Sequence, residues 1–436
     1  MNTQKPNLFV IGSVVLCSIV ACGTHSGSKT TNDSDYKDVL EQVDTGKVES
    51  FSTSSLKSNT SKQSILYLDC SKSMAGYIEA KNSSVFNNVI AGLLYRNDSS
   101  TAHLFDLKEQ TGITRDSFID MVNNKRIHWS SESNLGKMVS AMADNYISGR
   151  SDISFLITDG IMSGTDTQIR NDREYNKTHY GYSQEEIESA LKKCGPDVSV
   201  LVVQYLSGFT TNSSKQFYYY CYDNSYVELS DVLRPFYIIA IGKFEAIKEL
   251  SADIRHNARL STFTNIVLLG DAMPYKVDFK PAYNKGASFR DGFYTVDKGV
   301  KSSDFVYFNL NLSLLQDYMI SEDYVRNNGQ LFFKSSSGPA IELNQNNCDL
   351  KLTNSTLTLG IQSEILRGAT LFYRIKYHLP LWVESSSSPD DKNVAKDISP
   401  KTFNLKYFID ALAIVNKKPS LTDGIYINQT DEVKFK

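Results

Sequence analysis

The sequence predicts an α/β fold, a mostly parallel sheet covered by helices, followed by a β-rich, sandwich-like C-terminal domain. Three observations carry that expectation. Between residues 64 and 254 near-continuous apolar runs alternate with segments of helical period, the pattern of strands buried on both faces by crossover helices. Two of those runs stop at an aspartate, Asp69 and Asp159, and the carboxyl ends of such strands are where open α/β sheets place their ligand sites. Beyond about residue 262 the helical period gives way to short, partly alternating runs separated by Gly, Ser or Asn, which read as antiparallel strands.

In order along the chain, residues 64–69 (SILYLD) read as the first buried strand, and 85–95 have helical apolar spacing. A short strand is expected at 102–107, a short helix at 115–123, and a longer helix from Ser133 or Asn134 through Tyr146. Residues 153–158 (ISFLIT) form another buried strand, ending at Asp159-Gly160; 184–194 is an amphipathic helix stopped by Gly195-Pro196. Strands at 198–205 and 236–241 and a closing helix at 243–254 complete the unit. Two polar insertions interrupt it, 165–183 and 208–233, the second carrying Phe217-Tyr218-Tyr219-Tyr220. That aromatic run suits a hairpin packed on the flank, and it also suits the rim of a binding site. In the C-terminal part, runs at 264–269, 305–312, 330–334, 349–359 and 369–379 read as strands, 314–320 and 402–414 as helical pieces, and 384–398 as a polar loop. No internal repeat is present.

The N-terminus points to export. Lys5 precedes a mostly apolar 14-residue segment from Leu8 to Ala21, too short for a comfortable membrane span. It ends Ile19-Val20-Ala21-Cys22-Gly23, similar to the bacterial lipobox, so Cys22 is the expected lipid acceptor. Residues 22–62 are rich in Ser, Thr, Lys, Asp and Asn and read as a flexible tether with a reach of roughly 35 Å. The domain plan is therefore a leader at 1–21, a tether at 22–62, an α/β domain at 63–260 and a β-rich domain at 261–436. Gly23, in place of an aspartate, favours the outer over the inner membrane of the cell envelope. The formal charge of −3, with no basic block, argues against nucleic acid as the main partner. Cys70, Cys194, Cys221 and Cys348 are widely spaced, with no C-x-x-C pair; Cys70 is expected to be a buried thiol outside any disulfide.

The chemistry concentrates in Asp69-Cys70-Ser71-Lys72-Ser73. One carboxylate and two hydroxyls on a tight loop are hard oxygen donors, which suit Mg²⁺ or Mn²⁺ better than zinc. The pattern resembles the metal-ion-dependent adhesion site of the von Willebrand factor A (vWA) domain family, found in integrin I domains and many bacterial surface proteins. That resemblance calls for a threonine before a helix and an aspartate after the next buried strand; the matching places read Ser133-Asn134-Leu135 and Thr158-Asp159-Gly160. Ser133 departs from the usual threonine but keeps the hydroxyl, and Ser130 or Ser131 stand close enough to substitute. The resemblance covers about residues 62–258 and implies a cation site made by Asp69, Ser71, Ser73, Ser133 and Asp159, completed by a carboxylate from a protein partner.

Such a site binds rather than catalyses. A haloacid-dehalogenase-type phosphohydrolase needs a second aspartate where Ser71 stands, and no G-x-S-x-G elbow is present. His25, His103, His128, His179, His256 and His378 form no zinc-spaced pair. No enzyme activity is expected. Two functions follow: metal-dependent adhesion to a protein or other acidic ligand, or a metal-independent scaffold subunit of an envelope complex. In both, the lipid provides the membrane attachment.

Overall fold

The computed structural model describes residues 63–435 except for 97–98, 106–108, 131, 165, 213–217, 224, 271–274, 277–279, 283–285, 292, 314–315, 336–339, 343–347, 395–400, 417–425 and 430–432. The expected leader, Cys22, the tether and Ser131 lie outside the described residues.

Among the described residues, seven strands form the main sheet: β1 (Ser64–Asp69), β2 (Ser100–Phe105), β3 (Glu109–Ile113), β4 (Ile153–Thr158), β5 (Val198–Phe209), a strand at Val232–Lys243 and one at Asn265–Leu269. A short hairpin of β6 (Tyr219–Tyr220) and β7 (Tyr226–Val227) lies between β5 and the Val232–Lys243 strand, so the last two sheet members are β8 and β9. Their order is β3-β2-β1-β4-β8-β5-β9. All six residues of β1 and of β4 are buried, which is why both read as continuous apolar runs rather than alternating ones.

The expected mostly parallel sheet is present, with a parallel centre and antiparallel pairs around it. β1 pairs in parallel with β2 and β4, whereas β4–β8, β5–β8, β5–β9 and β2–β3 are antiparallel. Four strands point one way, but most neighbours run opposite. The reason lies in the connections. A parallel pair needs a crossover, usually a helix, and α-helices do separate β1 from β2 and β3 from β4. Among the described residues, no helix stands between β5 and β8. The chain therefore turns straight back and pairs over twelve residues, Val198↔Lys243 to Phe209↔Val232. A buried antiparallel strand and a buried parallel one look alike in sequence when both faces are covered.

Helices cover both faces: α1 (Ala75–Glu79), α2 (Ser84–Leu94), α3 (Arg115–Asn123), α4 (Leu135–Ser148), α5 (Asp166–Asn171), α6 (Tyr175–Thr178), α7 (Tyr180–Lys193) and α8 (Phe244–His256). α4 starts where Asn134 accepts a hydrogen bond from the Lys137 N–H at 3.0 Å and ends at Gly149 with φ 68°, an N-cap and a left-handed terminator. The two polar insertions are structured. Residues 166–183 supply α5, α6 and the first turn of α7, and 218–227 supply the β6–β7 hairpin.

The sheet extends beyond residue 260, because β9 pairs with β5. The β-rich part that follows contains a four-stranded and a six-stranded sheet with mainly antiparallel pairing. Their alternating residues, Val306, Phe308 and Leu310 on one and Leu371, Tyr373 and Ile375 on the other, belong to the same buried apolar cluster as Met138 and Leu191 of the α4/α7 face. The expected helix at 402–414 is Leu405–Leu412 extended by a 3₁₀ turn. At 314–320 the described part is a 3₁₀ turn, Asp317–Met319.

The long hairpin presses on the chain before α2. A Cβ at Gly208 would lie 2.5 Å from the Asn82 carbonyl oxygen, which also accepts the Gly208 N–H at 3.2 Å. Backbone on both sides leaves no side chain to move aside. Gly208→Ala is expected to destabilise the protein by about 1–3 kcal/mol, measured as a lower urea midpoint with an unchanged slope.

Candidate functional site

The turns after β1 and β4 meet because those strands are parallel neighbours with Leu68 beside Ile157. Asp69 ends β1 completely buried, and Asp159 follows β4 at 3% exposure. A third loop, leading into α4, is sewn to both. Ser71 and Ser130 form a parallel bridge, with the Lys72 N–H donating to the Ser130 carbonyl at 2.7 Å and the Ser130 N–H to the Cys70 carbonyl at 2.7 Å. Ser133 and Ser163 form an antiparallel one, in which the Ser163 N–H donates to the Ser133 carbonyl at 3.1 Å.

Asp69 is the hub. The Ser71 N–H donates to its Oδ1 at 2.9 Å, and its Oδ2 accepts from Ser133 Oγ at 2.9 Å and Thr158 Oγ1 at 2.8 Å. Charge-assisted bonds of this kind offset much of the cost of burying a carboxylate. Ser71 Oγ and Ser73 Oγ stand 3.1 Å apart, and the Ser73 side chain also bonds Asp159. Asp159 Oδ1 accepts the Ile161 N–H at 3.0 Å. Between them Gly160 turns with φ 76°, a left-handed conformation that glycine adopts without penalty; its N–H donates to Thr158 Oγ1 at 3.0 Å.

The structure thus brings Asp69, Ser71, Ser73, Ser133 and Asp159 to one place. Ser130 contributes mainly backbone, and its Oγ accepts the Glu132 N–H at 3.2 Å. Cys70 is a buried thiol outside any disulfide.

Three participants were not expected from sequence. Thr158 is the first, and its signal was a polar residue closing an otherwise apolar strand. Arg234 is the second: it is 5% exposed on β8 and stacks its guanidinium over the Tyr219 ring at 4.8 Å. A lone cation in a buried strand implies a carboxylate partner, and its charge acts on both Asp159 and Asp391. Asp391, three residues after the short strand Ser387–Ser388, is the third. It accepts from Tyr219 Oη at 2.9 Å and from the Tyr222 N–H at 3.0 Å, and no local pattern could have revealed it. Among the described residues, Asp69, Asp159, Asp391 and Arg234 are the buried charged side chains, and all four belong to this network.

Burial raises the pKa of all three carboxyls. Asp159 is pushed up to about 7, by burial first and by the Asp69 charge second. Three buried carboxyls share the region with one guanidinium, whose charge acts on Asp159 and Asp391; a divalent cation would favour the ionised form of the carboxyls that burial pushes toward the protonated one. Asp69, Asp159 and the hydroxyls of Ser71, Ser73 and Ser133 are hard oxygen donors fit for Mg²⁺ or Mn²⁺. No group of three or more His, Cys, Asp or Glu side chains placed to hold a metal is found among the described residues, so a cation here would depend on the hydroxyls.

Ser71 and Ser73 open onto a cleft of about 260 Å³ walled by Ile161, Ser163, Ile169, Arg170, Asn176 and Tyr220 to Tyr222. Both insertions therefore reach the site. The β6–β7 hairpin packs on the flank through buried Tyr219 and also lines the cleft through Tyr220.

Comparison of the chain with models of protein families, with curated proteins and with solved structures finds no match.

Two predictions follow from the buried charges. Asp391→Ala removes one of the two carboxyls that Arg234 acts on and leaves the buried Tyr219 hydroxyl and Tyr222 N–H without their acceptor, and is expected to cost about 1–3 kcal/mol. Adding Arg234→Met should recover part of that loss; a single-variant cost below about 1 kcal/mol would contradict the network. The second concerns pH. Asp159 binds its proton more tightly folded than unfolded, where its pKa is about 3.9. In chelator, stability should be fullest below pH 4 as far as this group is concerned, and fall as pH rises from about 4 to 7. Asp159→Asn should flatten that part of a denaturant-midpoint profile.

Proposed function

We propose that this chain is a vWA-like binding module of a bacterial envelope lipoprotein. It holds Mg²⁺ or Mn²⁺ with Asp69, Ser71, Ser73, Ser133 and Asp159 and uses the cation to bind a protein or other ligand that presents a carboxylate. The observation that carries this reading is the convergence of the described buried charged side chains, three carboxyls and one guanidinium, behind two serine hydroxyls that open onto a cleft. The central position of β1 between parallel neighbours supports the resemblance, since it puts the turns after β1 and β4 side by side.

A bound divalent cation supplies an electrophilic centre for an acidic ligand. The protein's own residues do the rest. Asp69 holds the hydroxyls of Ser133 and Thr158 and the Ser71 N–H, which fixes the three loops before any ligand arrives. Ser71 and Ser73 present their oxygens at the floor of the cleft. Lipidation at Cys22 and the 22–62 tether would keep the module at the cell envelope, with the outer membrane favoured.

One observation favours the metal-independent alternative, a scaffold subunit of an envelope complex. Arg234 already places a cation near Asp159, so the site is partly neutralised from within.

The test is thermal melting of the full chain in Mg²⁺, Mn²⁺ or EDTA, beside Asp159→Asn and Ser73→Ala. Metal at a hundredfold excess over its dissociation constant should add about 2.7 kcal/mol, and either substitution should remove most of the gain. Identical melting of the wild type in metal and in EDTA would sink the cation reading and leave the scaffold role.

A further inference from the structure

We infer that the cleft above Ser71 and Ser73 takes an acidic peptide segment with two neighbouring carboxylates, one directed to the serine end and the other to Lys72 and Arg170. The inference rests on the cation-site reading and adds the ligand's charge and class.

Lys72 and Arg170 both line the cleft, and its described lining residues include no carboxylate. They come from different elements. Lys72 sits between the two serines of the first loop, and Arg170 lies exposed in the last turn of α5, on the 165–183 insertion. Nearby cations are already matched: Lys177 lies 3.6 Å from Glu174 and Lys392 lies 3.0 Å from Asp223. No ion pair to Lys72 or Arg170 is found among the described residues. With a divalent cation balancing the buried carboxylates, the cleft carries two further positive charges and attracts a ligand with more than one negative charge.

The walls are fixed in place. Asn176 accepts the Gly164 N–H at 2.8 Å and donates to the Tyr222 carbonyl at 2.9 Å, which ties one insertion to the other. Tyr222 is further held by Lys177 Nζ 3.8 Å from its ring centre and by stacking on Phe403 at 5.5 Å. Walls preorganised in this way bind without a large ordering cost. Ile161, Ile169 and the tyrosine rings give apolar contact for main chain and methylenes. A volume of about 260 Å³ is at the small end of ligand sites, which suits a short extended stretch rather than a folded surface. An acidic peptide combines these requirements.

The test is calorimetric titration of the full chain, in Mg²⁺, with three end-blocked glycine-serine peptides carrying no aspartate, one aspartate or two adjacent aspartates. The doubly acidic peptide should bind about tenfold more tightly than the singly acidic one. Arg170→Gln should bring the two within about threefold by weakening the doubly acidic peptide more than the singly acidic one, with the Mg²⁺ melting gain kept; Lys72→Gln should act in the same direction. A melting gain with equal affinities, with no peptide binding, or with a tenfold preference that survives Arg170→Gln overturns this inference alone. Absence of any melting gain overturns the cation reading and this inference with it.

Discussion

The site depends on burying one carboxylate. Asp69 lies at the end of a strand with no exposed surface, and it is tolerable there because three donors reach it from two loops and the end of β4: the Ser71 N–H, the Ser133 hydroxyl and the Thr158 hydroxyl. An ionised group in an apolar interior is expensive, and leaving any of its lone pairs unmet adds to the cost. The same three bonds therefore stabilise the fold and set the register of the loops. Shifting any of these loops would break a bond to Asp69. The backbone bridges Ser71↔Ser130 and Ser133↔Ser163 repeat the constraint in the main chain.

The mixed sheet connects this hub to the rest of the molecule. Because β5 returns directly as β8, an arginine near the start of β8 arrives beneath the turn that bears Asp159, and the connecting segment stands over the cleft as the Tyr219–Tyr222 wall. Asp391, shortly after the strand Ser387–Ser388, bonds to that wall at Tyr219 and Tyr222. Residues in the β-rich part thus complete the electrostatics of the α/β part. Tyr237 on β8, hydrogen-bonded to Thr402 at 3.0 Å, and the shared apolar cluster across α4, α7 and the later sheets make the same connection. The insertions, which in sequence look like interruptions, are the walls of the cleft.

Much of this was readable in the chain itself. Every strand of the main sheet expected from sequence is present, as are the helices at 85–95, 115–123, 134–146, 184–194 and 243–254, with boundaries shifted by a few residues and α7 starting earlier. The edge strand Glu109–Ile113 escaped notice because it is largely exposed and carries no apolar pattern. Asp69, Ser71, Ser73 and Asp159 were legible because a buried strand that ends in an aspartate is conspicuous and two such strands in a sheet bring their ends together, whereas Ser133 was singled out only by the resemblance to the vWA motif.

What the sequence alone determined is the set of buried strands, the covering helices and the polar residues at the strand ends. These follow from periodicity and from interactions spanning a few residues. The direction of β8, the placing of Arg234 where its charge acts on Asp159 and Asp391, and the role of Thr158 as a donor to Asp69 were decided only by the tertiary structure. A continuous apolar run has no polarity of its own, so its direction is set by whether the connection before it can form a crossover. A buried charge has no partner written beside it, so its partner is whichever opposite charge the packed sheet and its loops deliver.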